Sequence, residues 1–127
     1  MWRYVLAVVL IGHGLANVAG VVAPWTKSGR GFSDRPWIFS RGITLRSTVG
    51  RFFSLVWLLS TIGLVAAGVG LLTGQAWWRT AALAGVLASL AAILPWWRTV
   101  PPGARAAAAI DLILYAFLLS PLSSQIM

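Results

Sequence analysis

The sequence predicts an all-α membrane protein: a four-transmembrane-helix bundle with a long basic and aromatic connection between the first and second helices. Three observations carry this. Hydrophobic residues make up 59% of the 127 residues and charged residues only 9%, a balance that soluble domains of this size rarely reach. Four apolar runs alternate with polar or aromatic connections. The charge is one-sided, ten Lys and Arg against two acidic residues for a formal +8, and the basic residues gather between the runs. Length allows one membrane domain, residues 1–127.

The first run, residues 3–23, is long enough to cross about 30 Å of hydrocarbon. Met1-Trp2-Arg3 and the apolar residues after it have the look of a secretory signal. Its candidate cleavage site, Val21-Val22-Ala23, is followed at once by Pro24, so the run reads as a retained membrane helix. Gly12, Ala16 and Gly20 recur every four positions, the spacing of a close helix-packing seam.

Pro24 ends that helix, and residues 24–51 form a connection with six basic residues: Lys27, Arg30, Arg35, Arg41, Arg46 and Arg51. Trp25, Trp37, Ile38 and Phe39 are interleaved among them. Aromatic rings and cations together suit the headgroup layer, so a short interfacial helix or cap over the bundle is expected here. The second span, 52–73, carries small or polar residues at Ser60, Gly63, Ala67, Gly70 and Gly74, another packing stripe. A tight turn leads to the third span, 80–94, with Ala81, Gly85, Ala88 and Ala92 on one face. Residues 95–103 form a rigid interfacial connection in which the paired Trp96 and Trp97 read as anchors. The fourth span, 104–119, is short and stops before Pro121.

Counting Lys and Arg fixes the expected orientation. The first and third connections hold eight, the six above plus Arg98 and Arg105, against Arg3 and Arg79 on the other side. The positive-inside rule then places connections 24–51 and 95–103 in the cytoplasm and both termini outside. In a soluble chain such a basic excess would suggest nucleic acid. Here it points to anionic lipid headgroups as partners of all eight, and no nucleic acid is expected.

Several chemistries are set aside. There are no cysteines, hence no disulfide, thiolate metal site or cysteine nucleophile. Neither Gly-x-Ser-x-Gly, nor a glycine-rich phosphate loop, nor paired carboxylates on one helix occurs. A metal would have only one histidine and one membrane aspartate, so none is expected. The balance leans away from an enzyme without excluding one.

The polar residues inside the apolar runs are the candidate site. His13, the only histidine, is flanked by Gly12 and Gly14, with Asn17 one turn later. Asp111 lies inside the fourth run, where an intramembrane carboxylate costs roughly 3 kcal/mol to insert and usually faces the bundle interior. At 1.5 Å per residue, Asn17 and Asp111 each lie about 10 Å from the cytoplasmic ends of their helices. Tyr115 shares the level of His13. Neighbouring first and fourth helices would then pair Asn17 with Asp111 and His13 with Tyr115. Ser60, Thr61 and Ser89 fall at similar levels, completing a pocket open toward the basic connection. His13 could be a proton relay, a donor to a quinone-like carbonyl, the single ligand of a five-coordinate tetrapyrrole, or a structural histidine bonded to Asp111 or Asn17. A bis-histidine haem would need a second subunit.

His13-Gly14-Leu15 with Gly20 beyond it, and Gly70-Leu71-Leu72-Thr73-Gly74 followed by Arg79 and Ala81-Ala82-Leu83-Ala84, resemble the DoxX-like family of small four-span bacterial membrane proteins. The resemblance extends to the order of spans and the long first connection. It implies a four-helix bundle in the bacterial inner membrane and, as in some members, a link to quinone-coupled sulfur oxidation or oxidative-stress complexes. Asn17 stands where such proteins often carry a lysine, and Ser60 where they often carry an acid. Both departures weigh against redox chemistry, and fold transfers more readily than activity.

Three functions remain in view. The leading one is an accessory or binding subunit of a larger membrane assembly, quinone-linked or energy-converting, with other membrane subunits or self-association as partners. The second is a stand-alone or redox-associated protein binding a lipophilic or anionic ligand through His13, Asn17, Ser60, Asp111 and Tyr115. The third is a small proton-coupled exporter.

Overall fold

The computed structural model describes residues 1–25, 43–96 and 103–126. Within them every regular element is helical: α1 Trp2–Ala16, α2 Val18–Val22, α3 Thr48–Leu72, α4 Trp78–Ile93 and α5 Gly103–Leu119, with 3-10 turns at Ala23–Trp25, Leu94–Trp96 and Pro121–Gln125. Lys27, Arg30, Arg35, Arg41, Arg98, Trp37 and Trp97 lie outside the described residues, as does most of the expected interfacial cap.

Three helical segments are long and apolar enough to cross a membrane: Trp2–Trp25, Thr48–Leu72 and Trp78–Trp96. The first includes α1, α2 and the turn after them. α5, at 17 residues, is shorter and carries both Arg105 and Asp111. At 1.5 Å per residue it reaches about 25 Å, a little under the thickness of a hydrocarbon core.

Local chemistry sets the helix ends. Ser47 has extended backbone and its hydroxyl accepts the Gly50 N–H at 3.3 Å, an N-cap that starts α3 before the apolar run does. At the other end Gly74 adopts φ +73°, Gln75 N–H donates to Gly70 O at 2.8 Å and Gly74 N–H to Leu71 O at 3.3 Å. That is a complete Schellman closure. Gly74 is therefore a helix stop, exposed, and not a member of the packing stripe.

Two arginines cap the far ends of helices that they do not belong to. Arg3 donates to the carbonyl of Leu72, the last residue of α3. Arg79 donates to Leu118 O at 2.9 Å near the end of α5, where the Ser123 hydroxyl also donates at 3.0 Å. Cations beside unpaired C-terminal carbonyls are favourable on both hydrogen-bond and dipole grounds.

α3 packs on α4 and α1, and α5 packs on α4. The closest crossing is glycine on glycine: a Cβ built on Gly63 would lie 2.9 Å from Gly85 Cα, and one on Gly85 2.8 Å from Leu64 N. Backbones approach that closely only where side chains are absent. On α1 the packing glycine is Gly14, whose Cβ would meet Leu64 and Val65 at 3.0 Å. Gly12 has nothing within 4 Å and Ala16 is exposed. The expected Gly12–Ala16–Gly20 seam is thus out of phase, and only Gly20, under the Trp57 ring, packs as expected.

Leu10, Leu64, Leu71, Trp78, Val86 and Leu118 form the main core. The tryptophan pairs divide between core and surface. Trp78 is 1% exposed and Trp77 49%, because neighbours on a helix point about 100° apart. Trp96, expected as an interfacial anchor, is buried against Phe53, with ring centroids 5.5 Å apart.

Candidate functional site

Five buried side chains from all four long helical segments join in one hydrogen-bonded layer. The break between α1 and α2 falls at Asn17. Asn17 Nδ2 donates to Ser60 Oγ of α3 at 2.7 Å and to Ser89 Oγ of α4 at 3.1 Å. Ser89 Oγ donates onward to Asp111 Oδ2 of α5 at 2.5 Å. Asp111 Oδ1 lies 2.7 Å from His13 Nε2 on α1. The chain of bonds reads Ser60, Asn17, Ser89, Asp111, His13.

Each member is used economically. The Ser89 hydroxyl accepts from Asn17 and donates to Asp111, so it fills both of its roles. Both oxygens of Asp111 are engaged. The His13 imidazole and the Asp111 carboxyl partner one another directly, which is what ionisable side chains buried in an apolar bundle require. Ser60, Ser89 and Asp111 are 0% exposed, Asn17 3% and His13 7%. The layer is closed.

Four expected site residues are therefore brought together: His13, Asn17, Ser60 and Asp111. Tyr115 is not among them; it is 36% exposed on the outer side of α5. Of the expectations for His13, the bond to Asp111 forms and the level pairing with Tyr115 does not, while Asn17 reaches Asp111 through Ser89. The physical reason is direction around the helix axis: rise per residue fixes height only, and Tyr115 turns outward while Ser89 and His13 turn toward Asp111. Ser89, noted only for its level in the helix, turns out to be the bridge. Thr61 stays outside, its hydroxyl buried without a partner.

The shape of the layer limits what it can do. Along α1 it extends from His13 to Asn17, about 6 Å, against about 30 Å of hydrocarbon. It runs across the bundle and links neither membrane face to the other. The imidazole of His13 is buried and its Nε2 is taken by Asp111, so that nitrogen is not free to ligate a macrocycle.

A second cluster lies at the other end of the first apolar segment, around Trp25. Trp25 Nε1 donates to Ser54 Oγ at 3.1 Å, Ser54 Oγ donates to Arg51 O at 2.6 Å, and the Arg51 guanidinium stands 4.8 Å from the Trp25 ring centroid. Arg46, Arg51 and Arg105 are all exposed. Of the eight basic residues expected to meet headgroups, these three are the described ones.

No protein-family model matches this chain, and neither a curated protein nor a solved structure matches it.

Proposed function

We propose that this chain is a four-span bundle of the bacterial inner membrane that serves as an accessory or binding subunit in a larger membrane assembly. The observation that carries the proposal is the closure of the polar layer. Asp111, Ser89 and Ser60 are fully buried and bonded to one another or to Asn17 and His13. Groups used up in this way fix helix register and leave the outer surface for function. That surface is apolar: Val8, Phe52, Leu59, Ile62 and Ile113 are each more than half exposed. The DoxX-like resemblance adds a bacterial inner-membrane setting and a place beside quinone-linked complexes.

The ligand-pocket reading has less behind it, because a ligand at His13 or Asp111 would first have to break existing bonds. The exporter reading needs a carboxylate reachable from both faces, and a layer one turn deep does not supply that.

Native purification tests the proposal. Solubilised mildly from its own membranes, the protein is expected to migrate with a stoichiometric membrane partner, and recovery as a lone monomer would count against it. Topology has its own test, since the chain has no cysteine. With Arg105→Cys and Ser124→Cys made singly, a membrane-impermeant maleimide added outside intact cells should label only the second. The reverse pattern would invert the orientation.

A further inference from the structure

The His13–Asp111 bond draws α1 and α5 together at one level, and toward the two termini the helices part. Between them lies a cleft of about 540 Å³, within the range of small-molecule sites, about 300–1,000 Å³. Val5, Leu6 and Val9 of α1 form one wall, and Ile113, Leu114 and Phe117 of α5 the other. Leu122 and Ile126, from the turn after α5, close the end near the termini. Two lining residues have polar groups, Gln125 and Trp2, and both sit at this end.

Three features select the occupant. The walls are hydrocarbon, so a polar or charged ligand gains nothing there. Along α1 the lining runs from Trp2 to Val9, about 10 Å, which is less than one leaflet of hydrocarbon. The cleft is also blind: the next turn beyond Val9 carries His13, and there the helices are joined at 2.7 Å. A crossing partner helix, about 10 Å wide, would run into that junction halfway. A single flexible chain entering from one leaflet would not. At the mouth, an amide and an indole N–H are donors suited to ester carbonyls at the lipid interface.

We propose that the cleft between α1 and α5 holds one acyl chain of a phospholipid from the leaflet that faces both termini, with its ester region met by Gln125 and Trp2. The chain acts as a fifth packing element, filling the space that the junction at mid-depth leaves between the two helices. The lipid holds this cleft whether or not partner chains cover other faces of the bundle.

The test uses the full-length protein in nanodiscs containing a phospholipid with a photoactivatable diazirine near the end of one acyl chain. After irradiation, adducts mapped by mass spectrometry are expected to concentrate on Leu6, Val9, Ile113 and Leu114, several-fold above Leu55, Leu58 and Leu59 on the outer face of α3. Val9→Trp fills the cleft from one wall and Ile113→Trp from the other, and both positions are already partly exposed, so at least one should fold. Either filled variant should lose the concentrated adducts while keeping those on α3. Equal labelling of cleft and α3, or unchanged labelling of a folded, filled variant, overturns the proposal. So does labelling by a diazirine polyisoprenoid or free fatty acid with none by the phospholipid. Protection of the cleft by a partner chain in the native complex also overturns it.

Discussion

Asp111 on the last helix lies 2.7 Å from His13 on the first, and the same carboxylate receives the Ser89 hydroxyl at 2.5 Å. One buried side chain thus ties α5 to two other helices. Its replacement tests how far the bundle depends on that tie. Asp111→Asn keeps the shape and replaces one oxygen acceptor with an N–H donor, and should lower unfolding stability in detergent by about 1–2 kcal/mol. Asp111→Ala strands both partners and should cost about 2–4 kcal/mol. A double-mutant cycle with His13→Ala should return a coupling of about 1–2 kcal/mol. Simple additivity would mean that the contact carries no energy of its own.

Ser89 and Ser60 look alike in sequence but hold different positions in the layer. Ser89→Ala removes a partner from both Asn17 and Asp111, whereas Ser60→Ala removes one from Asn17 alone. The first should therefore destabilise more, by about 1 kcal/mol beyond the second, the net worth of one extra hydrogen bond. Thermal melts that rank the two in the opposite order would contradict the bonding pattern.

The glycines separate just as clearly. A Cβ at Gly85 would meet Leu64 backbone at 2.8 Å, while one at Gly12 meets nothing. Gly85→Ala should destabilise by about 1–3 kcal/mol through forced separation of α3 and α4. Gly12→Ala should stabilise by about 0.5–1 kcal/mol from helix propensity alone. Paired melting curves in one detergent decide it.

Arg79→Ala should loosen the end of α5 and little else. The Leu118 carbonyl then keeps only Ser123. Hydrogen exchange should rise between Leu119 and Gln125 and remain unchanged in the middle of α3. A uniform rise along the chain would show that Arg79 supports the whole bundle rather than one helix end.

The helices themselves are legible in the sequence, because runs of apolar residues bounded by proline, glycine and tryptophan leave few alternatives in lipid. His13, Asn17, Ser60 and Asp111 stand out for the same reason: a polar side chain at membrane depth is costly and needs a partner. Who partners whom is less accessible. Rise per residue gives height to within about a turn, but it says nothing of where around the axis each side chain points. Height alone therefore matches Tyr115 to His13, although Tyr115 faces outward. Ser89 sits among alanines and leucines, and a lone serine in a helix commonly bonds its own backbone, so it gives no sign of bridging two helices. On α1 the spacing from Gly12 to Ala16 to Gly20 is regular, yet the face that packs passes through Ala7 and Gly14, seven residues apart. Gly20 lies seven residues beyond the buried His13, so it is the one member of the four-residue series that falls on that face. The arginine caps at Leu72 and Leu118 depend on contacts between residues far apart in sequence, which composition and spacing do not report.

The layer draws on every long helical segment, and this has a consequence for how the protein is made. On the proposed topology, α5 leaves the translocon after the other three segments, with a carboxylate midway along a helix of only 17 residues. Alone in lipid it is a poor insertion candidate. Its acceptors are matched only when His13 and Ser89 are already in place, and Ser89 is aligned through Asn17 and Ser60. An ordered biogenesis is expected on that topology: the first three segments would assemble the donors, and the fourth would be retained by finding them. A chain lacking α4 would present α5 to a membrane without its receptor, and membrane quality control would meet it as an orphan.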